Sequence, residues 1–358
     1  MQSVAVMTRL QELLESAVSD GTVPGAAALV ARGDRVEVAS AGELEPDSIV
    51  RLASTTKPIM AAAVMLLVDD GLISPADPVA RWLPELSAPQ VVRTPESQID
   101  DVVPGARAIA VEDLLTFRAG WGFPSDFSLP AVGELFEKLP VFGPKETPDE
   151  WLETLSRVPM LRQPGEAWLY NTCSDIQGVL VARVSGQPLP DFLAERIFEP
   201  LGMVDTAFHV PARKLDRLPP YHRGEEMPVE DRLWTEPPIF PSGSGGLVST
   251  LADWHRFGRM LLAEGGDLLS PESVRLMTTD HLTQEQRDAS TLFLEGAGWG
   301  FGGAVEPDGR YGWVGGTGTS AHVAPSTGTV GVLLTQVMMA GPTPPPLMRT
   351  FWRYAFGA

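Results

Sequence analysis

Ser54-Thr55-Thr56-Lys57, followed by Pro58-Ile59-Met60-Ala61-Ala62-Ala63-Val64-Met65-Leu66-Leu67-Val68, is the stretch on which the fold turns. The apolar run reads as a buried helix. Ser54 then falls at its N-terminus, and Lys57 projects from the same face at i+3, where an amine reaches a hydroxyl. A serine hydroxyl is a poor nucleophile until a neighbour takes its proton. A lysine in an apolar site can do so, because desolvation disfavours the charged form of an amine. One S-x-x-K match is weak by itself, since a chain of this length should show roughly one by chance. Here there are only four lysines (Lys57, Lys138, Lys145, Lys214), and only Lys57 has serine three residues before it. The plain alternative makes Ser54 an N-cap and Lys57 a solvated first-turn residue.

The 358 residues, 44% hydrophobic, suffice for two domains or one large one. A formal net charge of -19 argues against nucleic-acid and anionic-membrane partners, both of which need basic patches. Met1 to Met7 show no charged region followed by a long apolar run, and the longest apolar run, Ile59 to Val68, is too short to span a bilayer. A cytoplasmic location is the expectation. The single Cys173 excludes an intrachain disulfide framework and reads as a small buried residue. The five histidines (His209, His222, His255, His281, His322) show no close metal-ligand spacing, so no metal and no cofactor are expected. Gly315-Gly316-Thr317-Gly318 lacks the lysine of a phosphate loop, and no G-x-S-x-G elbow occurs.

Thr8-x-x-Gln11 reads as a capping box that opens an amphipathic helix ending at Gly21. Ala26 to Ala31 and Val36 to Ala39 around a Gly33-Asp34 turn predict a hairpin, and Ser48 to Leu52 a further strand. Strands are expected again only at Trp299 to Val305, Tyr311 to Gly315, Thr319 to Ala324 and Thr329 to Val337, followed by a helix from about Leu347 to Tyr354. Between these ends Val111 to Thr116, Pro148 to Leu155, Ser174 to Val184, Leu189 to Ile197 and Ala252 to Ala263 read as helices. The fold expected is α/β (α+β): a mixed, mainly antiparallel sheet built from both chain ends, with an all-helical insertion. The expected division is 1–75 with 290–358, against 76–289. Proline- and glycine-rich excursions from Gly120 to Pro148 and from Pro211 to Gly246 could roof a cleft at the junction.

Two further segments carry chemistry. Pro164 to Thr172 is a turn leading to Tyr170 at the mouth of a helix, and Tyr311-Gly312-Trp313-Val314-Gly315-Gly316-Thr317-Gly318-Thr319 is a strand whose glycines admit a ligand close to the backbone. With Ser54 to Lys57, in this order and spacing, these segments resemble the serine beta-lactamase and penicillin-binding protein superfamily, most closely class C beta-lactamases and family VIII carboxylesterases. Gly71 to Val79, Leu114 to Gly120, Ile197 to Met203 and Gly245 to Thr250 are similar to its framework as well.

The resemblance implies Ser54 as the acylated nucleophile, Lys57 and Tyr170 as the proton-transfer pair, and the N–H groups of Ser54 and Gly316 as the oxyanion hole. Which of Lys57 and Tyr170 is the base stays open. Trp313, Gly315, Asn171 and Thr172 are expected to contact substrate. The family's asparagine usually comes two residues after the tyrosine, whereas here Asn171 is one residue after it and Thr172 two. The family's Lys-Thr-Gly is Trp313-Val314-Gly315 here, and tryptophan cannot attract a penicillin carboxylate unless an arginine such as Arg223 or Arg232 replaces the lysine. The implied activity is therefore a serine carboxylesterase acting on small acyl esters. Beta-lactamase, D-amino-acid peptidase or acyltransferase activity and a non-catalytic scaffold are the alternatives, and a small ester or amide is the expected partner.

Overall fold

The computed structural model describes residues 8–141, 146–223 and 232–357. Its strands β1 (Gly25–Arg32), β2 (Arg35–Gly42), β3 (Gly298–Trp299), β4 (Ala304–Val305), β5 (Tyr311–Gly315), β6 (Thr319–Ala324) and β7 (Thr329–Leu334) form a seven-stranded sheet in the order β2-β1-β7-β6-β5-β4-β3. Every pairing in it is antiparallel. The unbroken apolar run of β1 is buried along nearly its whole length, so it lies inside the sheet, while half-exposed β2 forms the edge. β1 pairs directly with β7, which joins the two ends of the chain in one sheet.

Helices α1 (Arg9–Ser19) and α5 (Pro346–Phe356) cover one face of this sheet, and α2 (Lys57–Asp69) and α4 (Leu251–Leu262) lie on the other. The Thr8 side chain caps α1 by accepting from the Gln11 N–H. α2 is buried from Lys57 to Leu67 and packs against α3 (Thr172–Ser185). α4 lies within the segment read as the helical insertion, yet it packs on β6 and β7, where a Cβ on Gly258 would come 2.9 Å from Val330. Among the described residues no helix is long and apolar enough to cross a membrane.

Several local expectations need correction. Ser54 is not the first residue of α2 but lies in a 3-10 turn, Ala53–Thr56, that leads into it. Unexpected short strands also occur mid-chain, where segments of two or three residues carry no readable periodicity: Gln90–Val92 pairs with Val102–Pro104, and Val248–Ser249 pairs with Val50–Arg51 inside the expected Ser48 to Leu52 strand. The helices Pro130–Lys138 and Pro271–Met277 hide behind prolines that act as first-turn residues rather than breakers. Trp299 to Val305 is two strands, because the chain must bend at Gly302 (φ +71°) to pass the start of α2. Parts of both proline-rich excursions, 142–145 and 224–231, lie outside the described residues.

A Cβ on Gly302 would sit 2.5 Å from the Lys57 carbonyl oxygen, whereas one on Gly309 (φ +83°) meets open space. Gly309→Ala should therefore cost only the left-handed backbone penalty, about 1–2 kcal/mol. Gly302→Ala adds a backbone clash and should lower the urea midpoint clearly further. Equal midpoints would show that the Gly302 contact with α2 is loose.

Candidate active site

The sequence places an alanine, not a glycine, before Ser54, yet Ala53 has φ 47°. A left-handed non-glycine residue persists only where its surroundings hold it. Here the Leu52 N–H donates to Leu247 O at 2.9 Å, and Leu52 O accepts from Thr319 Oγ1 at 2.7 Å and Thr55 Oγ1 at 2.9 Å. The Gly245 to Thr250 segment and β6 thus clamp the turn that presents Ser54. β5 closes on the same turn, since a Cβ on Gly315 would stand 2.3 Å from Leu52 O. Gly315 therefore serves as a close-approach position. The next residue, Gly316, faces open space at Cα, and its N–H takes no backbone partner among the described residues.

Lys57 is fully buried. Its Nζ lies 2.8 Å from Ser54 Oγ, 2.9 Å from Asn171 Oδ1 and 2.6 Å from the Ser244 carbonyl oxygen. Asn171 and Ser244 offer only acceptors in these contacts, while the Ser54 hydroxyl can either donate or accept. The two obligate acceptors fix the amine in place beside the Ser54 hydroxyl. The Ser244 carbonyl is aimed by Asp175, a buried residue of α3. Asp175 Oδ1 accepts from the Ser244 N–H at 3.0 Å and Ser242 Oγ at 2.7 Å, and Oδ2 accepts from Ser244 Oγ at 2.9 Å.

Asn171 has φ 85° and ψ -65°, and the Thr172 N–H donates to Tyr170 O at 3.3 Å. This is a positive-φ γ-turn, a rare and strained form. It turns two consecutive side chains toward the same amine, and so accounts for an asparagine one residue earlier than the family pattern has it. Asn171, not Thr172, holds Lys57. Thr172 opens α3 and lines a small recess of about 10 Å³ with Phe123, Leu135, Leu139, Val141, Trp151, Asn171 and Asp175.

Tyr170 is anchored by paired backbone bonds with Phe123, at 2.9 and 3.0 Å. Phe293, Trp168 and Trp313 surround its ring at centroid distances of 4.8, 5.7 and 5.7 Å, and the Lys57 ammonium position lies 4.7 Å above it. Burial in this aromatic shell pushes the phenol up to about 12, against the opposing hydrogen bonds with Ser54 and Trp313. Trp313 Nε1 donates to Tyr170 Oη at 2.7 Å. The indole is only 6% exposed and stands edge-on to Trp299, so its main contact is with the tyrosine rather than with an open substrate surface.

The structure thus brings together Ser54, Lys57, Tyr170, Asn171, Trp313 and Gly315. Sequence reading missed Asp175, Ser242 and Ser244; the available signal was an acidic residue one turn after Asn171 inside a buried helix. His322 faces away from the cleft, against Trp352, and burial lowers it to about 3. Cys173 is buried, and its thiol is pushed up to about 12 by desolvation. Arg223 stacks on Tyr221, while the Arg232 side chain lies outside the described residues. Among the described residues no group of three His, Cys, Asp or Glu is placed to hold a metal ion.

Comparison with known proteins identifies the family and the fold. The family model described as Beta-lactamase matches residues 10–346. Protein Rv1367c of Mycobacterium tuberculosis (strain ATCC 25618 / H37Rv) is 37% identical over 321 residues, 82% of this chain and 78% of that protein. Esterase EstB of Burkholderia gladioli is 28% identical over 392 residues, 96% of this chain and 94% of its own. Among solved structures, EstCE1, a hydrolase with promiscuous acyltransferase activity, superposes with a TM-score of 0.80 at 23% identity, covering 98% of both chains, which speaks to fold alone. With its antiparallel sheet, its Ser54–Lys57 turn and a family match that runs nearly end to end, this chain belongs to the Beta-lactamase family.

Proposed function

We propose that this protein is a serine hydrolase that forms an acyl-enzyme on Ser54 and acts as a carboxylesterase on small, uncharged acyl esters. The observation that carries the reading is the buried Lys57 amine, held by Asn171 and Ser244 with its Nζ 2.8 Å from Ser54 Oγ. In this reading Lys57 takes the Ser54 proton as Oγ attacks the ester carbonyl. The N–H groups of Ser54 and Gly316 receive the oxyanion. A phenol held near 12 stays protonated at neutral pH, so Tyr170 gives its proton to the departing alkoxide and remains a phenolate beside the Lys57 ammonium, ready to take the proton of the attacking water while Lys57 returns its own to Ser54 Oγ. Water then attacks the acyl carbon, its proton returns through the same pair, and acid and Ser54 hydroxyl are restored.

Neutral esters suit the site because Trp313 stands where the resembling beta-lactamases have a lysine, and an ionised carboxylate without a fixed cation is costly to desolvate. Similarity to EstB supports the esterase reading. Transfer of the acyl group to an alcohol is a second reading, since the same acyl-enzyme can pass its acyl group to an alcohol in place of water. Ester turnover with added alcohol acceptors, followed by product analysis, separates the two.

A fluorophosphonate probe should label the wild type stoichiometrically and leave Ser54→Ala unlabelled. Labelling of that variant at another residue would remove the assignment. kcat/KM for p-nitrophenyl acetate or butyrate should exceed that for nitrocefin or benzylpenicillin, and the reverse order would restore a beta-lactamase reading.

Tyr170→Phe should lower kcat by a factor of about 10² to 10⁴ on esters with poor leaving groups. Because the wild-type phenol ionises only near 12, the pH profile of kcat/KM should show no alkaline loss from Tyr170 below pH 10. Trp313→Phe removes a donor that favours the phenolate, so it should raise that ionisation further while slowing leaving-group protonation.

Asp175→Asn keeps the size but weakens the hold on Ser244, so it should depress kcat more than KM and move the acid limb of the profile. Unchanged kcat with a lower Tm would make Asp175 merely structural.

A further inference from the structure

A cavity of about 460 Å³ lies between α5, the edge of β5 and the segments around 293–295 and 306–307. Arg310, at the entry to β5, lines it and is only 7% exposed. Its Nε donates to Asp308 Oδ2 at 2.7 Å, but neither Nη nitrogen has an acceptor among the described residues, and Nη1 is fully buried. Trp352 and Phe356 flank the guanidinium at 5.5 and 5.1 Å. A nearly buried guanidinium with its fork unfilled is rare in a stable fold, since buried donors are nearly always satisfied. The neighbouring cations do not share its condition: Arg349 donates to both Glu295 oxygens at 2.8 Å, and Arg353 to Thr350 Oγ1 at 3.1 Å.

The geometry points to a ligand site in this cavity that takes a small monocarboxylate with an aromatic or hydrocarbon body, its carboxylate on the Nη edge of Arg310. The cavity falls in the size range of small-molecule sites. Phe293, Trp313, Pro344 and Trp352 supply apolar walls for the body of such a molecule. Glu306 also lines the cavity, half-buried and with no hydrogen bond to its carboxyl among the described residues, and it makes a dianion such as phosphate a poor fit. β5 separates the cavity from Ser54, but Trp313 and Phe293 border it and also touch Tyr170. Identifying the occupant with the acid released by ester cleavage rests on the function proposed above; the site itself does not.

Isothermal titration of the full chain with benzoate, and with benzamide as its uncharged isostere, at fixed ionic strength tests this. Benzoate should bind saturably to the wild type and equally to Ser54→Ala. Arg310→Gln, and benzamide in place of benzoate, should each weaken binding roughly tenfold or more. Glu306→Gln, which removes a facing negative charge, should tighten benzoate binding, and this opposite sign decides the matter if Arg310→Gln fails to fold. Equal affinity for benzamide, retained affinity in Arg310→Gln, or loss of binding in Ser54→Ala would each overturn the site. Because binding is read without turnover, a protein that hydrolyses no ester but binds benzoate would sink the esterase reading and leave the site standing.

Discussion

One amine holds the molecule's chemistry together. Lys57 Nζ joins the turn before α2, the strained turn before α3 and the loop at Ser244, so three separate pieces of backbone meet on a single nitrogen. A buried amine with its polar contacts met is tolerable, and one without them would be expelled or would unfold its surroundings. Much of the surrounding architecture follows from that constraint. Asp175 fixes the Ser244 carbonyl, the γ-turn delivers Asn171, and Gly302 and Gly243 lack side chains where backbone must approach α2 or α3.

Of the six non-glycine residues at positive φ among the described residues, two flank the candidate site. Ala53 and Asn171 both occupy positive φ without being glycine, one directly before Ser54 and the other directly after Tyr170. Each costs stability locally and is offset by the surrounding core. Both orient a hydroxyl toward the same point, which is the use that stored backbone strain commonly has at reactive sites.

The helix at Lys57, the hairpin and the C-terminal strands were legible because their periodicity or apolar continuity is local. Ser54 and Lys57 stood out because their spacing is a local linear pattern, whereas Tyr170 entered only through the family resemblance. Asn171 stayed ambiguous against Thr172, since the answer depends on one φ angle that no residue pattern encodes. Asp175 and Ser244 act through a backbone carbonyl 187 residues from Lys57, and a carbonyl leaves no trace in side-chain identity. Trp313 was expected to contact substrate, whereas its polar contact is with Tyr170, a property of packing and not of sequence order.

The pairing of β1 with β7 has a consequence for how the protein is made. Ala27 lies opposite Leu334, so the first strand waits for nearly the whole chain before its partner exists. During synthesis the almost wholly apolar β1 is exposed at one edge of its hairpin, the condition that favours aggregation or chaperone capture. Such a distant pairing also raises contact order and slows folding. Because β5, which closes on the Ser54 turn, is made just before β7, that turn stays open on the nascent chain for most of its synthesis.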